Sequence, residues 1–202
     1  MARICIFGDS IARGNSDYIY GGWGQLLSNY TERNFEDLSI YNLSVDGETS
    51  REILNRFQQE ASHREPYAVI FAYGTNDSAI LSSTKENQVS QSQFVENTKA
   101  LIELAQTLNL QVVFLGLLSV NEEMTNPIPW DEERNYHNQE LQTYNRLLKN
   151  ICEECECVFI DVIHEIEPRS LPDGLHPDTQ AHQKLFEIIK ATLIDKKILP
   201  NK

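Results

Sequence analysis

The chain has 202 residues, enough for one full hydrophobic core and short for two, so a single domain over residues 1–202 is expected. Hydrophobic residues make up 41% of it, which excludes a disordered or fibrous chain. The net charge of -13, from 30 acidic and 17 basic residues, argues against nucleic acid and anionic membrane surfaces as partners, and no run of 18 apolar residues predicts a membrane span.

The chain opens with the alternating Arg3-Ile4-Cys5-Ile6-Phe7, a short strand that ends on Gly8-Asp9-Ser10. A helical apolar spacing follows through Trp23, Leu26, Leu27 and Tyr30. "LSIYNLSV" reads as a second strand ending near Asp46-Gly47, and Ile53, Leu54, Phe57 and Ala61 share one face of the next helix. The third strand, "YAVIFAYG", is continuously apolar, as strands buried on both faces are, and runs into "GTNDS".

A polar stretch from Ser78 to Ser92 leads to the helix "FVENTKALIELAQTLN" and the fourth strand "QVVFLGLL". Residues 119–135, with Pro127, Pro129 and Trp130, form the longest irregular segment. A helix from about Tyr136 to Glu154, the strand "CVFIDVI", a connection containing "LPDGLHPDTQAH", and a last helix through Leu185, Phe186, Ile189 and Leu193 complete the chain. Strands alternating five times with helices predict a three-layer α/β/α sandwich around a largely parallel sheet.

Cys152 and Cys155 continue the apolar stripe of the helix before them and Cys157 opens the next strand. With Cys5 they read as buried thiols of a reducing compartment, and no second spaced ligand pair accompanies them to form a metal clip. The N-terminus passes directly into a core-like strand without a leader pattern, so a cytoplasmic protein is expected. Nothing in the sequence addresses oligomeric state.

In a parallel sheet the loops after the strands share one rim, where such folds place their ligands. That rim would collect Gly8-Asp9-Ser10, Asp46-Gly47, Gly74-Thr75-Asn76-Asp77, the 119–135 loop and Asp173 to His176. Ser10 is the candidate nucleophile, and a serine hydroxyl needs a base, for which His176 is the best placed. Asp173, three residues before His176, can hold the imidazole in one tautomer and stabilise its charged form. The N–H groups of Ser10 and Gly47 and the amide of Asn76 are candidate donors to a developing oxyanion. Each residue also has a local reading: His176 as a helix cap, Gly47 as a helix entry, and Gly74 to Asp77 as an Asx turn. His182 reads as structural on the last helix. Tyr18, Tyr20 and Trp130 read first as loop anchors and second as aromatic walls.

Together "FGDSI", the glycine of "NLSVDGETS", "YGTND" and "DGLHP" resemble, in order, the blocks of the SGNH hydrolase superfamily, the GDSL esterases and lipases. The resemblance implies a flavodoxin-like sandwich with a five-stranded parallel sheet and a hydrolase that needs no metal or other cofactor. It also implies Ser10, Asp173 and His176 as the catalytic triad, with Ser10, Gly47 and Asn76 forming the oxyanion hole. The expected substrate is a small-molecule carboxylic ester with a short or small polar acyl group, acetyl included. Three alternatives stay open: a metal-assisted phosphoesterase using Asp9, Asn76, Asp77 and His176, a nucleotide or flavin binder, and a non-catalytic binding module on the same scaffold. The first strand lacks the G-x-G-x-x-G spacing that a dinucleotide binder would carry.

Overall fold

The computed structural model describes residues 2–201. In chain order the elements are β1 (Ala2–Gly8), a single turn α1 (Ser10–Arg13), α2 (Gly22–Asn34), β2 (Leu38–Asn42), α3 (Ser50–Arg64), β3 (Ala68–Ala72) and the single turn α4 (Thr75–Ser78). There follow β4 (Ile80–Leu81), α5 (Gln91–Thr107), β5 (Gln111–Leu115), β6 (Arg134–Asn135), α6 (Asn138–Glu154), β7 (Val158–Ile160), a 3-10 turn (Pro168–Ser170) and α7 (Thr179–Asp195).

The five longer strands form one parallel sheet in the order β2-β1-β3-β5-β7. Alternate side chains of each strand enter opposite layers, as the period of two requires. Cys5, Phe7, Val69, Phe71 and Phe114 pack under α3, α5 and α6, where Phe7 meets Phe57 edge-on at 5.1 Å and Phe71 stacks on Phe114 at 5.1 Å. Ile4, Ile6, Ile70, Val113 and Leu115 face Trp23 and Leu27 of α2 and Leu185, Ile189 and Leu193 of α7. Burying each such side chain contributes about 1.5–3 kcal/mol relative to leaving it in water, so both faces of the sheet are held by packing. The three-layer α/β/α arrangement with a five-stranded parallel sheet is thus the observed architecture.

The helix entries carry their own stop and start chemistry. Thr49 caps α3 in a reciprocal capping box with Glu52, Ser90 accepts from the Gln93 N–H at the head of α5, and Asp178 accepts from the Ala181 N–H at the head of α7.

Three local features depart from the sequence expectations. The polar 78–92 stretch and the 119–135 loop each contribute two residues to a small antiparallel pair, Ile80 with Asn135 and Leu81 with Arg134. Two-residue strands have no periodicity to read. The second strand ends at Asn42, yet Leu43 N–H still bonds Ile6 O and Val45 N–H bonds Gly8 O, so the irregular continuation runs on beside β1. The helix α3 runs on through His63 to Arg64, beyond the apolar face that ends at Ala61.

Strand order reverses at β1, with β2 on one side and β3 on the other. A crevice opens at such a switch point, outside the carboxyl ends of the strands. Gly8 of β1 pairs with Ala72 of β3 there, so the residues just after each strand meet across a few ångströms. Among the described residues no helix is long and apolar enough to cross a membrane.

Candidate active site

Ser10 is the first residue of α1. Asp9, extended at φ -100°, caps that turn by accepting the Ile11 N–H at 2.9 Å, and Gly14 in the left-handed region at φ 100° closes it. A first-turn N–H has no carbonyl four residues behind it, so the Ser10 N–H is available to an acceptor in the crevice. Burial raises the Asp9 carboxyl to about 6, against the opposing pull of the Ile11 N–H and the His176 ring.

His176 sits in the loop before α7. Its Nδ1 lies 2.7 Å from Asp173 Oδ2 and its Nε2 lies 2.8 Å from Ser10 Oγ. With the Nδ1 proton given to the carboxylate, Nε2 is left as the acceptor of the serine hydroxyl. Asp173 is fixed by more than the ring: its Oδ1 accepts the backbone N–H groups of Leu175 at 2.9 Å and His176 at 2.7 Å, a local turn that Gly174 permits at φ 87°. Burial alone would raise this carboxyl, but the His176 ring and those two N–H groups outweigh it and hold Asp173 at about 2. Asp173 is therefore an anion throughout the neutral range.

The second and third loops arrive from β2 and β3. Gly47 adopts φ 78°, and a side chain there would be strained whatever space surrounds it. Among the described residues its N–H donates to no backbone carbonyl. The loop is clamped from below by Arg56, whose Nε reaches both Glu48 carboxylate oxygens at 2.9 and 3.0 Å while Nη2 donates to Leu43 O at 2.7 Å. Asn76, on α4, gives one amide N–H to Glu48 O at 2.9 Å and takes the Tyr136 hydroxyl on Oδ1 at 2.9 Å. Its neighbour Asp77 is fully buried and accepts the Ser50 N–H at 3.0 Å as well as the Ser50 hydroxyl. Burial pushes Asp77 up to about 7, against the Ser50 donors.

Ser10, Gly47, Asn76 and His176 line one cavity of about 260 Å³ together with Ile128, Trp130, Arg134, Tyr136 and Leu175. A second hollow of about 500 Å³ adjoins it, bounded by Arg13, Asn15, Ser16, Tyr18, Trp130, Asp173 and His176. Asn15, Trp130 and His176 line both. Asp17 ties the segment leading into α2 to the start of α7, accepting from the Ile19, Tyr20 and Gly22 N–H groups and from the Thr179 hydroxyl.

The structure thus brings Ser10, Gly47, Asn76, Asp173 and His176 to one place. It keeps His182 out, as a buried neutral ring that accepts the Trp23 N–H on Nδ1 and meets Asn15 O through Nε2, with burial lowering its pKa. Among the described residues no group of three His, Cys, Asp or Glu side chains is arranged to hold a metal ion. The aromatic residues depart from the reading as loop anchors. Tyr18 is 96% exposed, and Trp130 stacks on His176 instead of burying itself in the body of the fold. Trp130 instead takes the second role read for it, an aromatic wall, whereas Arg134 and Tyr136 were not singled out from the sequence, because nothing local to "DEERNY" reveals which of its side chains turn toward the rim.

A serine, an imidazole and a carboxylate in hydrogen-bonded series, at the switch point of a parallel sheet, define a serine hydrolase built on a three-layer scaffold. The chain belongs to the GDSL-like lipase/acylhydrolase family, whose profile matches residues 6–184, and it is a serine ester hydrolase. It is 24% identical to the isoamyl acetate-hydrolyzing esterase 1 homolog of Bos taurus, over 97% of this chain and 82% of that one. It is 21% identical to the arylesterase of Vibrio mimicus, over 95% and 88%. Its fold superposes on that of an acetylxylan esterase from Geobacillus stearothermophilus with a TM-score of 0.75 at 17% identity, covering 94% of this chain and 93% of the other.

Proposed function

We propose that the protein hydrolyses small acyl esters, acetyl esters foremost, through a Ser10-His176-Asp173 triad and an acyl-enzyme. The observation that carries this reading is the unbroken series Ser10 Oγ, His176 Nε2, His176 Nδ1 and Asp173 Oδ2, with links of 2.8 and 2.7 Å. His176 takes the Ser10 proton as Oγ attacks the ester carbonyl. The carbonyl oxygen, now negative, is received by the N–H groups of Ser10 and Gly47 and the free amide N–H of Asn76. The His176 imidazolium, stabilised by the Asp173 anion, then protonates the departing alkoxide. Water repeats the attack on the acyl-serine by the same proton route, releasing the acid and restoring Ser10.

The two hollows support a division of the substrate. The donors line the smaller cavity of about 260 Å³, which suits a short acyl group. The leaving oxygen must lie beside the His176 proton, toward the larger hollow of about 500 Å³. The exposed ring of Tyr18, the half-exposed ring of Trp130 and the polar groups of Arg13, Asn15 and Ser16 on that side suit a hydroxylated alcohol, apolar on its faces and polar on its edges. Relatives named for isoamyl acetate and acetylxylan hydrolysis support the acetyl preference.

Fluorophosphonate labelling with peptide mapping, in the presence of a chelator, tests the nucleophile, and p-nitrophenyl esters from acetate to decanoate test the acyl site. One adduct on Ser10, absent from Ser10→Ala and His176→Ala, with turnover falling steeply beyond butyrate, is expected. An unlabelled folded protein, or a preference for long chains, would overturn the reading.

A further inference from the structure

Resting on that reading, we infer that Tyr136 is a positioning residue of the oxyanion hole, acting through the side-chain amide of Asn76. An asparagine can serve an oxyanion only if its NH2 end, and not its carbonyl end, faces the reacting atoms, and only if the amide plane is held. Asn76 is 4% exposed, and its amide has two partners among the described residues. One N–H goes to Glu48 O at 2.9 Å, and Oδ1 receives the Tyr136 hydroxyl at 2.9 Å. The second N–H is left for the cavity that Asn76 shares with Ser10 and Gly47. Turning the amide over would set Oδ1 against the Glu48 carbonyl and aim an acceptor at the developing negative charge.

Glu48 therefore selects the face, and Tyr136 supplies the rest. Its hydroxyl satisfies the otherwise orphaned Oδ1 and, by withdrawing electron density from that oxygen, polarises the remaining N–H, as hydrogen bonds in series do in a low-dielectric site. Tyr136 is 1% exposed and has little freedom of its own. Its N–H donates to Thr125 O at 3.0 Å and its carbonyl accepts the Thr125 hydroxyl at 3.0 Å. Burial holds the phenol well above its ordinary pKa against the influence of the nearby Arg134, so it remains a donor. The Tyr136 hydroxyl thereby ties the end of the loop leaving β5 directly to Asn76 in the turn after β3.

The test is a double-mutant cycle on p-nitrophenyl acetate with Tyr136→Phe, Asn76→Ala and both, each checked for folding by thermal melt. Tyr136→Phe keeps the ring and removes only the hydroxyl. Its kcat is expected to fall about 5- to 50-fold with KM within about twofold, in keeping with the usual cost of a buried orphaned acceptor. In the Asn76→Ala background the same change should have no further effect. An unchanged kcat in folded Tyr136→Phe, or an equal loss with and without Asn76, overturns the role of Tyr136 while leaving the oxyanion hole standing. An Asn76→Ala protein with undiminished kcat overturns both.

Discussion

Trp130 lies nearly flat against His176, with the ring planes 24° apart and the centroids separated by 5.6 Å. The indole is 52% exposed, so it covers the imidazole without being buried itself. In the proposed acyl transfer His176 becomes a cation, and an aromatic face over a cation is worth about 0.5–2 kcal/mol. Trp130→Ala should therefore lower kcat on p-nitrophenyl acetate roughly 2- to 30-fold, since that attraction acts once the proton has moved. Trp130→Phe should retain part of the rate. Melting temperature should stay within a few degrees, because little core packing is lost. A full rate in Trp130→Ala would reduce the stack to a wall of the cavity.

Asp173 gives the protein a stability term with a defined pH window. An acid held at about 2 when folded, against about 3.9 in an unfolded chain, binds fewer protons in the folded state between those values. The stabilisation is fully present above pH 4 and is lost as the pH falls toward 2. Asp173→Asn removes the term at every pH, so its melting temperature should lie below wild type at pH 7 and approach it as both are taken from pH 4 to pH 2.5. A constant gap across that range would mean that the carboxylate contributes nothing by its charge. The same variant should lose activity by a factor on the order of 10⁴ at neutral pH, because an amide cannot hold the imidazole in the working tautomer.

The parallel sheet was legible because runs such as Ala68–Ala72 and Gln111–Leu115 are apolar on both faces, which few other placements tolerate. Once that sheet is granted, the rim collects Ser10, Gly47, Asn76, Asp173 and His176 from loops up to 166 residues apart, and short-range turn chemistry brings Asp173 to His176. The contributions of Arg134 and Tyr136 were not legible, and that of Trp130 only as the second of two readings. They depend on the path of a loop stitched by Ile80 to Asn135 and Leu81 to Arg134, and a ladder of two pairs leaves no alternation in either segment. Tyr136 could be taken for an ordinary apolar residue at a helix entrance, since its hydroxyl finds Asn76 only across a separation of 60 residues.

The glycine before Asp9-Ser10 is required by proximity and not by backbone freedom. A Cβ on Gly8 would stand 2.4 Å from Ala72 O and 2.6 Å from Ala12 Cβ. Ala72 O also accepts the Asp9 N–H at 3.3 Å, so the clash falls on the hydrogen bond that ties the serine turn to β3. Neither obstacle is a flexible side-chain end. The backbone of β1 or β3 must give way, and forced overpacking of this kind costs about 1–3 kcal/mol. For a chain of this size that is a fall in melting temperature of roughly 2–12 °C. Gly8→Ala should also lower kcat more than it raises KM, because the displaced atoms lead directly to Ser10 and not to the walls of the larger hollow. A variant that melts lower but turns over at the wild-type rate would show that α1 keeps its own geometry through the Asp9 cap and Gly14, with β1 absorbing the shift.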